Sequence, residues 1–279
     1  MTCRKLDPDE SMNKSSVPNY LIVGTQRGAT TWLHNAVTEH PQVSRSHHKE
    51  LRFFNKDENW NRGVDWYKSF FVDRNLLIGD ATPEYMCSQL AIERIHLCNP
   101  ETKIVISLRE PVSRAYSAFK LFKNTIYGGY DFEEAINEDI DGLFSRGLYA
   151  DQVNQILAKF GSENVNIILF EDIRRNNEKI ITEMFKFLQI DSEFEPSIVG
   201  QRYNSGILPN IQAELKRNGL GTVVSLFKKT RAGEWIRRRA HRSSPKCPPL
   251  GEEIASRLRA KYEPHNLRLE QTLGRQIGW

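Results

Sequence analysis

Eight residues near the start of the chain carry the densest chemistry: Gly24-Thr25-Gln26-Arg27-Gly28-Ala29-Thr30-Thr31. The glycines let backbone N–H groups turn inward. Arg27 brings a full positive charge, and Thr30 and Thr31 bring hydroxyl donors. Before them, the apolar run Tyr20 to Val23 reads as a buried strand. After them, Trp32, Leu33, Ala36 and Val37 fall on one face of a helix. A strand, a glycine-containing turn and a helix N-terminus form an anion trap, because inward N–H groups and the helix dipole both favour negative charge. A phosphate or phosphate-like group is the expected guest. The spacing is not that of GxxxxGK[ST]: Gly24 and Gly28 are one residue too close, and no Lys precedes the threonines. A tight βα turn without a ligand is the alternative.

A second junction of the same kind follows the clearest strand in the chain, Lys103 to Leu108. Arg109 stands at its end and Pro111 suits the first turn of a helix. Ser113 and Ser117, four apart, share a helical face. Arg109 and Ser117 offer a guanidinium fork and a hydroxyl, a plausible second anion site. The bland reading pairs Arg109 with Glu110 or another acid. Two carboxylates complete the set. Glu50 lies in a loop ahead of Phe53 and Phe54, which should anchor that loop to the core. A fixed carboxylate near a phosphate cradle is a candidate general base; spacing alone favours a surface Glu paired with Lys49 or Arg52. Asp80, with Thr82, ends a short strand read over Leu76 to Ala81, where α/β sheets place ligands.

Elements of an α/β protein surround these residues. A helix runs from Glu84 to about Cys98, another lies within Asp131 to Ile140, and Tyr149 opens a third. Asn164 to Phe170 is a further strand. Lys179 to Leu188 and Gly251 to Thr272 read as helices, and Trp279 is expected against the core. The fold expected is a single α/β domain: a central parallel sheet flanked by helices, with a P-loop-like turn. Residues 1–17 read as a disordered arm and 18–279 as the domain.

At 279 residues, with 39% hydrophobic and 27% charged residues, the chain has room for one large core. No run of 18 apolar residues suggests a transmembrane helix, and the polar start lacks the apolar stretch of a secretory signal. The four cysteines show no metal-ligand spacing, so reduced thiols in a cytoplasmic protein are expected. His47 and His48 are adjacent and do not converge on one metal; no metal is expected. The net charge of +4 is uneven. Segment 209–247 carries ten Lys and Arg against two Glu, or +8, leaving −4 for the rest. That excess belongs to a basic helical cover and does not mark a nucleic-acid-binding protein.

Taken together, these motifs resemble the sulfotransferases that use 3′-phosphoadenosine-5′-phosphosulfate (PAPS). The chain is similar to the heparan-sulfate-type carbohydrate enzymes and to compact bacterial small-molecule relatives, from Pro18 to Trp279. The resemblance implies that Arg27, Gly28, Ala29, Thr30 and Thr31 hold the 5′-phosphosulfate. The family's ExHFF segment corresponds to Glu50-Leu51-Arg52-Phe53-Phe54 and implies Glu50 as base. Its RxPxxRxxS motif matches Arg109, Pro111, Arg114 and Ser117 and implies contact with the 3′-phosphate. Tyr149 falls in the segment that returns to the nucleotide, to touch it or to pack in the core. Arg202, Ser205 and Gly206 resemble a lid over the adenine and the 3′-phosphate. Two departures stand out: Arg27 replaces the usual Lys, and Asp80-Ala81 replaces Glu-Lys before Thr-Pro. The second makes Asp80 another candidate base and weakens a polysaccharide assignment. The expected reaction is sulfuryl transfer to a hydroxyl or amine of a small-molecule acceptor, with a saccharide as the alternative. A P-loop kinase or NTPase, or a non-enzymatic basic binding module, are the rivals from other classes.

Overall fold

Strand β1 (Tyr20–Gly24) is buried along its whole length. Its side chains alternate between two packed faces, as strand geometry requires. Leu21 and Val23 join a cluster with Phe53, Phe54, Tyr85 and Tyr149, while Tyr20 and Ile22 join one with Trp32, Leu33 and Phe185. Burial on both faces explains the continuous apolar run and is the mark of a parallel sheet covered by helices. The computed structural model describes residues 17–46, 48–199 and 247–279. The expectations for Cys3, His47, the 202–206 loop and nearly all of the basic segment lie outside these residues.

Helix α1 (Thr30–Glu39) follows β1, and the short helices α2 (Asp57–Trp60) and α3 (Val64–Lys68) lead to β2 (Gly79–Ala81). Then come α4 (Gln89–Cys98), β3 (Lys103–Leu108), α5 (Pro111–Phe122) and α6 (Phe132–Asn137). Helix α7 (Tyr149–Phe160), strand β4 (Val165–Leu169), and helices α8 (Phe170–Arg175) and α9 (Asn177–Phe187) follow. A long helix, Glu252–Leu273, lies near the C-terminus. The strands pair in parallel in the order β2-β1-β3-β4, giving the expected α/β domain. The chain leaves β1 toward β2 on one side and crosses to β3 on the other. The carboxyl ends of β1 and β3 therefore border the crevice where such sheets bind ligands.

Among the boundaries that differ from the sequence reading, three stand out. The strand read over Leu76 to Ala81 is confined to Gly79–Ala81, and Leu77 makes only an isolated bridge to Val43. The helix read from Glu84 is a single 3-10 turn, Tyr85–Cys87, and restarts at α4, where Ser88 caps by accepting from the Ala91 N–H. Val17, placed in the arm, is buried in the core, because its apolar side chain packs against the same cluster as Leu21.

Candidate active site

The β1–α1 turn is fastened to β3 and left open at its helix end. Thr25 N–H donates to the Ser107 carbonyl at 2.6 Å, and Gly28 N–H to the Thr25 carbonyl at 2.9 Å. The Ser107 hydroxyl donates to the Gly28 carbonyl. A Cβ at Gly28 would collide with the Ser107 carbonyl oxygen, which is why glycine stands there. Arg27 and Ala29 take left-handed φ values of 73° and 71°. For residues with a Cβ that conformation is uncommon and clusters at ligand clamps. Helix α1 then starts with no side-chain cap and no acid in its first turn. Its terminal N–H groups, beside Thr30 and Thr31, therefore carry the helix's partial positive charge without a side-chain partner, an arrangement suited to an anion.

The second junction sends side chains to the first. The Arg27 guanidinium donates through Nε to the Ser117 hydroxyl at 3.0 Å. Arg109 donates through Nη1 to the Arg27 carbonyl at 3.2 Å and lies over the Phe170 ring, 4.6 Å from its centre. Arg27, Arg109 and Ser117, read as parts of two anion sites, form one connected cluster. Tyr149 is buried, and its hydroxyl donates to the Arg109 carbonyl at 2.8 Å. Burial pushes its phenol pKa up and the Arg114 charge pulls it down. It braces Arg109 from the core. Arg114 is also wholly buried and donates to the Leu143 carbonyl, so this motif residue ties α5 to the chain beyond α6. Glu171 accepts from Glu110 N–H at 3.3 Å and from the Trp279 indole at 3.4 Å, and Trp279 meets the Tyr149 ring edge-on.

The two carboxylates have opposite surroundings. Glu50 is part-exposed, with 39% of its side chain accessible, 2.8 Å from Lys49 Nζ and 3.8 Å from Arg52. Exposed pairs of this kind are worth at most about 1 kcal/mol, so they leave the carboxylate available. Phe53 and Phe54 are buried and hold the loop as expected. Asp80 has no exposed surface at all. It accepts from Thr82 Oγ1 at 2.6 Å, from the Tyr67 hydroxyl at 3.1 Å and from the Tyr85 hydroxyl at 3.5 Å. Burial raises its pKa to about 7, although these hydroxyl bonds pull it down; the nearby Glu50 charge pushes it further up.

A cavity of about 150 Å³ opens beside the turn, lined by Thr25, Gln26, Pro83, Glu84, Cys87 and Arg146. It lies between the start of the β1–α1 turn and the segment that follows β2, and Glu50 is not in its lining. A larger one, about 450 Å³, lies along β4 and α9 and contains none of the candidate residues.

Residues 18–239 match the sulfotransferase domain family. The chain belongs to that family. Human heparan sulfate glucosamine 3-O-sulfotransferase 5 is 26% identical over 281 residues, covering 94% of this chain and 74% of its own. The bifunctional heparan sulfate N-deacetylase/N-sulfotransferase 1 of Caenorhabditis briggsae is 26% identical over 207 residues, covering 66% of this chain and 24% of its own. The chain thus spans about a quarter of that relative. The crystal structure of a sulfotransferase from Alicyclobacillus acidocaldarius shares the fold, with a TM-score of 0.66, 24% identity, and coverage of 93% of this chain and 97% of the other. The sulfotransferase family implies PAPS as the sulfuryl donor. The donor set suits such a ligand: two arginines, a serine hydroxyl and an uncapped helix end match a nucleotide with phosphates at both ends. Among the described residues, no helix is long and apolar enough to cross a membrane.

Several participants escaped the sequence reading. Phe170, the platform under Arg109, follows β4 directly and could have been found from the strand-end rule. Tyr67 reaches Asp80 from α3, a contact with no trace in local sequence. Gln26 and Arg146 were in view as sequence but gave no hint that they share a cavity.

Proposed function

We propose that this sulfotransferase transfers the sulfuryl group of PAPS to a hydroxyl or amine of a small-molecule acceptor, with Glu50 as general base. The observation that carries the reading is the uncapped α1 end joined to the Arg27–Ser117–Arg109 cluster. Arg27, Gly28, Ala29, Thr30 and Thr31 hold the 5′-phosphosulfate end, and Arg109 and Ser117 the 3′-phosphate. Arg202, Ser205 and Gly206 are assigned to the nucleotide by resemblance. The acceptor oxygen or nitrogen bonds to sulfur as the bond from sulfur to the 5′-phosphate oxygen breaks. Glu50 takes the acceptor's proton. Arg27 and the N–H groups of α1 stabilise the charge that grows on the leaving phosphate, which departs as 3′-phosphoadenosine-5′-phosphate (PAP). This is catalysis by positioning and preorganised charge, as in phosphoryl transfer. The modest cavity beside Gln26 and Arg146, about 150 Å³, supports a small acceptor. A saccharide acceptor is the second reading, favoured by the names of the heparan sulfate relatives.

The test is PAPS turnover against two acceptor panels, small phenols, alcohols and amines in one and glucosamine-containing oligosaccharides in the other, with sulfated product read by mass spectrometry. Product from the first panel is expected. Product only from the second replaces small molecules with saccharides. Glu50→Gln is expected to lower turnover by about 10² or more with PAP affinity unchanged; unaltered turnover removes Glu50 as base.

A further inference from the structure

Asp80 is a wholly buried carboxylate whose hydrogen bonds lead to the loop that carries Glu50. Two of its three hydroxyl partners are bridges. Thr82 Oγ1 donates to Asp80 and accepts from the Arg52 N–H at 3.4 Å. The Tyr85 hydroxyl reaches Asp80 at 3.5 Å and accepts from the Phe53 N–H at 3.0 Å. Tyr67 donates to Asp80 from α3, at 3.1 Å. The backbone so held is unusual: Arg52, two residues after Glu50, has a left-handed φ of 50°. Such a conformation costs about 1–3 kcal/mol and persists only where its surroundings over-determine it. Asn59 adds bonds from Nδ2 to the Leu51 and Arg52 carbonyls, both 3.2 Å, and the Arg52 guanidinium is paired with Glu84 at 3.1 Å.

We propose that Asp80 is a positioning residue for Glu50: it orients the Thr82 and Tyr85 hydroxyls, which fix the Arg52 and Phe53 N–H groups and with them the strained turn that carries Glu50. The step from turn to catalysis rests on the reading of Glu50 as base. A direct proton-accepting role suits Asp80 poorly, since no part of it reaches solvent and its oxygens are occupied by three hydroxyls. An ionised carboxylate only accepts hydrogen bonds. All three hydroxyls then point their protons at Asp80, and Thr82 and Tyr85 turn lone pairs to the loop. A protonated Asp80 competes as a donor and loosens that order.

The groups facing Asp80 are Tyr20 from β1, Tyr67 from α3, Thr82 and Tyr85 from the turn after β2, and Glu50 from the loop. With burial holding its pKa at about 7, the ordering of the loop strengthens as pH rises through neutrality. Stability runs the other way. The folded state binds the extra proton between the ordinary carboxylate range and about pH 7, so this group's contribution falls as pH rises across that window and levels off above it.

The experiment is amide hydrogen exchange at Arg52 and Phe53 in the full chain, corrected for intrinsic rates, in the wild type, Asp80→Asn, Thr82→Val, Thr82→Ser and Tyr67→Phe. Protection at Arg52 is expected to fall by about tenfold, the value of one net hydrogen bond, in Asp80→Asn and Thr82→Val. Phe53 should follow in Asp80→Asn. Thr82→Ser should restore Arg52, and Tyr67→Phe should leave both nearly unchanged. Wild-type protection should rise between pH 6 and 8, a rise absent from Asp80→Asn. Unchanged protection in both Asp80→Asn and Thr82→Val overturns the proposal.

A double-mutant cycle on PAPS turnover, with water or phenol as probe acceptor, then tests the link to Glu50. Asp80→Asn is expected to lower turnover in the wild type and to add nothing in Glu50→Gln. Full additivity overturns the positioning role. PAP titration of each variant keeps the two readings apart: loss of PAP binding by the wild type defeats the donor assignment, while the exchange result judges the Asp80 network on its own.

Discussion

At the end of β1 the helix begins with no side-chain cap and no acid in its first turn. At the end of β3 the helix begins with Glu110, whose carboxylate accepts from the N–H groups of Val112 at 3.2 Å and Ser113 at 2.6 Å. Both junctions join a buried parallel strand to a helix, side by side in one sheet. The first has no side-chain cap on its N-terminal donors, whereas the second fills its own with a carboxylate. The second junction therefore contributes side chains, Arg109 and Ser117, and it delivers them to the first. On the proposed reading, that difference makes the first junction the phosphosulfate seat and the second an arginine-serine arm beside it, where the sequence suggested two anion sites.

The comparison can be broken most severely at Gly28. Gly28→Ala places a Cβ against the Ser107 carbonyl, and backbone cannot yield cheaply there. PAP affinity is expected to drop by about 100-fold or more, equal to roughly 3 kcal/mol of lost binding, as read by calorimetry. Retained affinity would mean that the turn is not the seat.

Thr31→Asp makes the first junction resemble the second by putting an acid into its first turn. The substitution should move stability and binding in opposite directions. Helix α1 gains about 0.3–1 kcal/mol from the dipole, visible as unchanged or slightly raised Tm. PAP binding weakens by about tenfold or more, because two like charges about 4 Å apart near a surface repel strongly. Parallel loss of both would point to a folding defect instead.

The smallest effect is expected at the second junction. Glu110→Ala removes a cap worth about 1 kcal/mol, measurable in denaturant unfolding, while PAP affinity stays within about twofold of the wild type. A large loss of affinity there would place the nucleotide on the N-terminal turn of α5 that Glu110 caps.

Much of this was legible in the chain because it is written locally. The run Tyr20 to Val23, the glycines of the turn and Pro111 after Arg109 mark both junctions through backbone chemistry alone. Phe53 and Phe54 announced the anchored loop in the same way. What stayed hidden depends on distant partners. Glu110 as a cap is visible two and three residues away, yet its meaning emerges only beside an uncapped α1. The contact of Arg27 with Ser117 spans 90 residues, and spacing along the chain carries no record of it. Asp80 stood out as a strand-end acid, but its burial is set by Tyr67 from α3 and Tyr85 after β2. Strand β2 was read three residues too long because Leu76, Leu77 and Ile78 continue the apolar pattern without the ladder.

The most direct test of the central claim is calorimetric titration of the full chain with PAP, without magnesium, against ADP as control and repeated with Arg109→Ala. Tight binding of PAP alone, lost in Arg109→Ala, is the result expected from an open seat at β1–α1 with its arm from β3–α5. Equal binding of PAP and ADP, or PAP binding that survives Arg109→Ala undiminished, would contradict it.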